Sequence, residues 1–395
     1  MNMSKENIDR NLGITKPVPY DKMSKGAQIL RDTYTIKPDA LIYQKEFGYY
    51  CLDEWIERGE IDEKTIRDPA KRKEMFGYDD EAQFFLPVIG GCAAPFYPFY
   101  PEKVLEDRGT YEVVQDKTGR HVLCFKGRRD GFMPEYLDHP VKDMKTWEEN
   151  CKWRMNPESP ERFEGLDFAM KSAIKAANEG QIVTQYVVGG YMYLRSLIGP
   201  LQLLYMFYDN PMLIHDCMKS WLAVADRLTA EYQKHVTIDE VLFDEDICYN
   251  KGSLISPDMI REFLMPYYQQ YISNIKRRQL DPGRHVYIHL ATDGYIDSVI
   301  DVYRDIGVDR MSPFEVASGC DVRVTGTQRP YMVMSGGIDK RVLAKSKDAI
   351  DRYLDDLLPV MKKRGGYIPT CDHGVPAEVT FELYCHYRKR CLEYR

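Results

Sequence analysis

Apolar positions in the first 80 residues recur at helical rather than strand spacing. Residues 1–25 are polar and carry Pro17 and Pro19, an extended lead. Residues 27–34 and 38–58 repeat apolar side chains every three to four positions, which predicts two helices. In the second, Phe47, Tyr50, Cys51, Trp55 and Ile56 share one face. Residues 59–80 are charged, a surface stretch. The apolar run FFLPVI at 84–89, closed by Gly90-Gly91, predicts the first strand of a sheet. CAAPFYPFYPEK follows, and its three prolines exclude regular structure. It reads as a packed surface loop, or as a loop across the mouth of a pocket. From 104 to 126 apolar and polar residues alternate about the turn Lys117-Thr118-Gly119-Arg120, which predicts an antiparallel insertion.

Beyond residue 160 the pattern becomes a regular alternation of strands and helices. Strands are expected over 182–190, 240–246, 284–289, 309–314, 330–335 and 367–370. Helices are expected over 160–178, 191–198, 201–208, 211–236, 294–306, 347–364 and 379–392. A further helix opens at Ser256-Pro257 by cap-plus-proline logic and runs to about 278. Buried strands joined by helices require a parallel sheet with helices outside. About eight such units predict an α/β fold with a single (β/α)8 TIM-like barrel. The chain divides into an N-terminal helical extension over 1–80 and a barrel over 81–395, with a β-hairpin insertion at about 104–130. No GxGxxG sits on a strand–helix turn, so a dinucleotide fold lacks its main signal.

Composition changes this picture little. Of 395 residues 44% are hydrophobic and 29% charged, ordinary globular values. A net charge of −7 without a basic stripe argues against nucleic acid as a partner. No apolar run is long enough to span a membrane, and the first residues, MNMSKENIDRN, have no apolar signal core. The ten cysteines are scattered, with no CxxC pair, which fits reduced thiols and a cytoplasmic location.

Barrel enzymes draw their catalytic groups from the ends of several strands. Here the strand ends carry Gly189-Gly190, Asp244-Glu245-Asp246, His289, Glu315 and Gly336-Gly337, and the last carries Cys371 and His373 within GGYIPTCDHGVP. Glu245, His289, Cys371 and His373 are carboxylate, imidazole and thiolate, a set that binds Zn2+. Three of them with one open position would make a catalytic zinc. The ligands lie far apart in sequence, so this expectation rests on their common placement at strand ends.

The stretches QYVVGGYMYLRSLIG, FDEDICYNKGSLISPDMIREFLMPYY, HLATDG, SGGID and GGYIPTCDHGVP together resemble the uroporphyrinogen decarboxylase superfamily, from about residue 160 onward. The resemblance implies a (β/α)8 barrel and one of two chemistries. Decarboxylation of a porphyrinogen uses an N-terminal R-Q-A-G-R type motif, which this chain does not have, and a basic pocket, whereas the strand ends here are mostly acidic. Methyl transfer to or from a corrinoid protein uses zinc held by a His-x-Cys and a further Cys. Here the first element reads His289-Leu290-Ala291, without the cysteine, and the last-strand position matches His373, with Cys371 two residues earlier. Zinc on Glu245, His289 and His373 would be harder than a thiolate site and would suit an oxygen substrate. The resemblance then implies the methyl-ether branch, the corrinoid-dependent O-demethylases of anaerobic metabolism. In that chemistry a small methylated substrate gives its methyl group to cobalamin or another corrinoid supplied by a partner protein. No D-x-H-x-x-G corrinoid loop occurs in the chain itself. Tyr191, Asp246 or Asp293 is the expected proton donor, and Asp293 could instead orient His289. Aromatic residues at 96–100, 191–193 and Tyr287 could hold a methoxy-aromatic ring or simply pack the core. Barrels of this superfamily are often dimers, which makes a homodimer an expectation. Transfer to a thiol, decarboxylation and a non-catalytic binding barrel are the competing functions.

Overall fold

Seven apolar runs form parallel strands of one curled sheet, with helices packed outside it. The computed structural model describes residues 12–127 and 134–395. Residues 1–11 of the polar lead and 128–130 of the expected insertion lie outside the described residues. In chain order the strands are β1 (Gln83–Phe85), β2 (Lys103–Arg108), β3 (Tyr111–Gln115), β4 (His121–Phe125), β5 (Glu135–Asp138), β6 (Ile182–Val188), β7 (Glu240–Asp244), β8 (Cys248–Tyr249), β9 (Gly252–Ser253), β10 (Tyr287–Ala291), β11 (Val308–Phe314), β12 (Val333–Ile338) and β13 (Tyr367–Cys371). The curled sheet has the order β1-β6-β7-β10-β11-β12-β13, every pairing parallel, as in a TIM-like barrel. Strands β2 to β5 form a separate antiparallel sheet, and β8 and β9 a short ribbon.

The helices that matter below are α1 (Lys25–Tyr34), α2 (Leu166–Asn178), α3 (Gly190–Ile198), α4 (Pro211–Tyr232), α5 (Met265–Arg278), α6 (Lys347–Arg364) and α7 (Phe381–Glu393). Helices α4 and α5 cover β7 through an aromatic cluster in which the buried Trp221 meets Phe243, Tyr268 and Tyr271. The Trp221 indole N–H donates to the Val188 carbonyl at 2.8 Å, which ties α4 to β6.

Several elements differ from the sequence reading. The expected helix over 38–58 is helical only at Leu52–Glu57. Residues 40–50 are not helical, and their backbone groups bond to residues that flank the two edge strands, Asp79 before β1 and Val375 after β13. Asp79 N–H donates to the Gln44 carbonyl, Tyr50 N–H to the Val375 carbonyl and Val375 N–H to the Gly48 carbonyl. The run thus links the segment before β1 to the segment after β13, where Tyr49 and Val375 form an isolated parallel bridge. The helix expected from 256 breaks into Pro257–Phe263 and α5, because Pro266 has no N–H to continue the ladder. Strand β12 starts three residues later than expected and contains Gly336-Gly337 rather than stopping before them. The stretch 294–306 is a chain of short helical turns, not one helix. Gly365 does end α6 as expected. It sits at φ 79°, and a Cβ there would lie 2.4 Å from the Lys37 carbonyl oxygen.

Candidate functional site

A cavity of about 1010 Å³ opens at the C-terminal ends of the parallel strands. Its floor is organised around Glu240, the first residue of β7, which is fully buried. Gln83 Nε2 and Thr184 Oγ1 donate to its Oε1 at 2.7 and 3.1 Å. Tyr34 OH and Arg310 Nη1 donate to its Oε2 at 2.5 and 3.0 Å. Burial pushes this carboxyl's pKa up, but the Arg310 guanidinium and His289 beside it outweigh burial and hold it well below the usual range. The second amine of Arg310 donates to Ser335 Oγ at 3.0 Å. Glu240 and Arg310 therefore form a hydrogen-bonded buried ion pair of the kind that tolerates desolvation.

His289, on β10, lines the cavity just above this pair. Its Nε2 is 2.8 Å from Ser312 Oγ, while Nδ1 is 3.6 Å from Glu240 Oε1 and has no hydrogen-bond partner among the described residues. Burial first, then the nearby Arg310 charge, lower its pKa to about 4, so the ring is neutral at pH 7. Glu240 and Arg310 were not anticipated from the sequence. The available signal was an ionisable residue inside an apolar strand run, once in EVLF and once in DRMSPF.

At the mouth, Asp244, Asp246, Asp293 and His373 line the cavity with Arg120, Arg195 and Met192. Tyr186 OH donates to Asp244 at 2.5 Å. Asp246 adopts a left-handed backbone at φ 41° and accepts from Arg195 at 2.5 Å. His373 stands between Tyr50 and Asp293, its Nδ1 3.1 Å from Tyr50 OH and its Nε2 3.6 Å from Asp293 Oδ2. The Asp293 carboxylate against the ring raises the pKa of His373 above the usual histidine value, in spite of burial. The apolar wall comes from Phe47, Tyr50, Phe85, Tyr136, Tyr186 and Leu242. None of the aromatic residues singled out at 96–100, 191–193 or 287 lines it; in those stretches Met192 alone does. Tyr287 packs edge-on against Tyr34 instead, with ring centroids 4.8 Å apart.

The expected metal set does not come together. Glu245 is buried on the far side of the strand end from its neighbours Asp244 and Asp246, which line the cavity. It accepts from the Tyr191 amide at 3.0 Å and from Tyr268 OH, and burial pushes its pKa up to about 7. Thr370 lines the cavity, so strand alternation turns the buried Cys371 away from it. His289 remains at the floor and His373 at the mouth. Among the described residues no group of three or more His, Cys, Asp or Glu is arranged to hold a metal ion. The donor set therefore does not fit a zinc site. Tyr191 is also off the cavity wall, and burial pushes its pKa up to about 12. Of the expected proton donors, Asp246 and Asp293 do reach the cavity, Asp246 paired with Arg195 and Asp293 beside His373.

Comparison with solved structures shows the same architecture elsewhere. A methyltransferase from Methanosarcina mazei superposes with a TM-score of 0.55 at 12% identity, over 93% of this chain and 98% of that one. A protein from Listeria monocytogenes assigned as a vitamin-B12 independent methionine synthase overlaps more loosely, with a TM-score of 0.37 at 10% identity, over 89% of this chain and 97% of that one. No curated protein matches the chain by sequence. Residues 132–387 match the family described as uroporphyrinogen decarboxylase (URO-D). That match spans six of the seven strands of the curled sheet and takes in Asp244, Asp246, Asp293 and His373, and the chain belongs to the uroporphyrinogen decarboxylase family.

Proposed function

We propose that the protein is a methyltransferase that removes the methyl group of a small methyl ether with an aromatic body. The acceptor in this reading is a reduced corrinoid carried by a separate protein that docks over the mouth. The observation that carries it is the composition of the cavity: a large apolar, aromatic wall with a proton-holding pair, His373 and Asp293, at the opening. Ether cleavage needs little acid–base machinery beyond one proton. The C–O bond breaks as the acceptor's electron pair takes the methyl carbon, and the oxygen leaves with the bonding pair. His373 then supplies a proton to that oxygen, giving the free phenol or alcohol and a neutral imidazole. Its Nε2 lies beyond hydrogen-bond reach of Asp293, so a leaving oxygen can take the proton while the carboxylate offsets the ring's charge. Phe47, Tyr50 and Phe85 are exposed at the cavity and offer an apolar rim for a docked partner.

Decarboxylation of a many-carboxylate substrate is served less well. Three of the four cations on the cavity wall among the described residues are already matched to protein acids: Arg310 to Glu240, Arg195 to Asp246 and Arg120 to Asp116. The test is His373→Gln assayed with methoxy-aromatic donors and a reduced corrinoid protein. The expected result is a fall in kcat of about 10²- to 10³-fold with donor affinity unchanged. The loss should shrink for donors whose phenol is acidic, such as 4-nitroanisole, because their leaving group needs no proton. An equal loss for all donors would show that His373 does not act as the acid.

A further inference from the structure

Among the described residues, the fourth cation on the cavity wall is Lys45, in the run that links Asp79 to Val375. Among the described residues its ammonium has no hydrogen bond and no ion pair. The carboxylates nearest in charge effect are Glu240 and Glu46, and both are engaged elsewhere. Glu240 has its oxygens filled by Gln83, Thr184, Tyr34 and Arg310. Glu46 accepts from the amides of Cys371 and Phe47, at 2.8 and 2.9 Å, and from Tyr384 OH at 2.9 Å. Arg310, already neutralised by Glu240, adds a second positive group nearby. Beside them Ser335 Oγ accepts from Arg310, which leaves its own proton to donate. Arg388 is the cation that acts most strongly on Glu46, so the inner end of the cavity carries one ammonium without a carboxylate in contact, and a free hydroxyl donor. Lys45 is half-buried, and an ammonium partly withdrawn from water without a carboxylate in contact is costly, a cost that a bound anion relieves.

We propose that Lys45, with Ser335, anchors a carboxylate of the substrate, so that the cavity selects aromatic acids over neutral aromatic compounds. The anion lies at the inner end and the apolar body runs along Phe85, Tyr186 and Leu242 toward the mouth. That this places a methoxy group opposite Asp293 and His373 rests on the methyl-transfer reading; the anion site itself does not. A single ammonium fits a single carboxylate, and the aromatic wall fits a flat ring.

Binding of 4-methoxybenzoate, 3-methoxybenzoate and the corresponding neutral amides is measured by calorimetry at pH 7, on wild type, Lys45→Met and Lys45→Arg. At least one acid should bind wild type tenfold or more tighter than its amide. Lys45→Met should erase that preference, and Lys45→Arg should keep most of it. The proposal is overturned if no acid binds wild type better than its amide, or if Lys45→Met keeps the preference. Tighter binding of 4-methoxyphenylphosphonate than of the carboxylate also overturns the carboxylate assignment. Should Lys45→Met not fold, the acid-against-amide comparison on wild type and Lys45→Arg decides alone. Because binding is read without turnover, an acid preference in a protein that moves no methyl group would sustain the anchor and remove the methyl-transfer reading. Methyl transfer without an acid preference would do the reverse.

Discussion

At the scale of single residues, the contrast between Glu240 and Glu245 sets the chemistry of this molecule. Both are fully buried, yet one is held ionised by Arg310 and the other is pushed toward neutrality by burial with only hydrogen bonds to offset it. Glu245 titrates near 7 in the folded chain against an ordinary value of 4.5. Between those values the folded state binds more protons than the unfolded one, so stability falls as pH rises through that window. A shift of that size corresponds to about 3 kcal/mol. Replacing Glu245 with Gln should keep the bond from the Tyr191 amide, with Tyr268 OH turned to accept from the new NH2, and should abolish the loss of stability between pH 5 and pH 8. Urea titrations of both proteins across that range check it, and parallel pH profiles would show that Glu245 is ionised throughout. Asp244, Glu245 and Asp246 form one acidic cluster in the sequence. Which of them faces the cavity depends on where β7 ends and on the left-handed turn at Asp246, and neither is encoded in residue type.

At the scale of elements, the turn from β6 into α3 shows how closely the back of the site is packed. A Cβ on Gly189 would lie 2.6 Å from the Glu245 Cα and 2.7 Å from the Asp244 carbonyl oxygen. Backbone on both sides cannot yield, so Gly189→Ala should destabilise by about 3 kcal/mol, the upper part of the overpacking range. Gly48→Ala, where a Cβ meets nothing within 4 Å, should be close to neutral in the same denaturation experiment. The strands of the curled sheet could be read from sequence because each is an apolar run with glycine or acid at its end. Their register and the breaks within the helical stretches could not. Residues 40–50 misled for a definite reason: their aromatic spacing is helical, but tertiary hydrogen bonds to Asp79 and Val375 pull the backbone straight. That stretch brings Lys45 to the cavity, so the error in one element hid the residue that matters most for substrate choice.

At the scale of the whole molecule, the sheet's seven strands leave two edges, and the run at 40–50 ties together the segments beside them, through Asp79 and Val375 and through Glu46 to the Cys371 amide. It is held there by α1, whose Ile29, Leu30 and Tyr34 pack with Tyr43, Ala82, Ile182 and Ile368. A chain beginning at residue 51 would lose α1 and its packing on the sheet, leave the Cys371 amide without Glu46, and take Tyr34 from Glu240. It should aggregate and show no cooperative melt, as judged by size-exclusion chromatography and near-ultraviolet circular dichroism. A monodisperse, cooperatively melting fragment would mean that the seam is dispensable. The same seam sets a timetable. Glu46 waits for the amide of Cys371, 325 residues later. At about 10 residues per second on the ribosome that delay is roughly half a minute. For all of it, the lysine-bearing strip has nothing of β13 to pair with. The binding cavity is therefore a late product of synthesis, complete only when the last strand has left the ribosome.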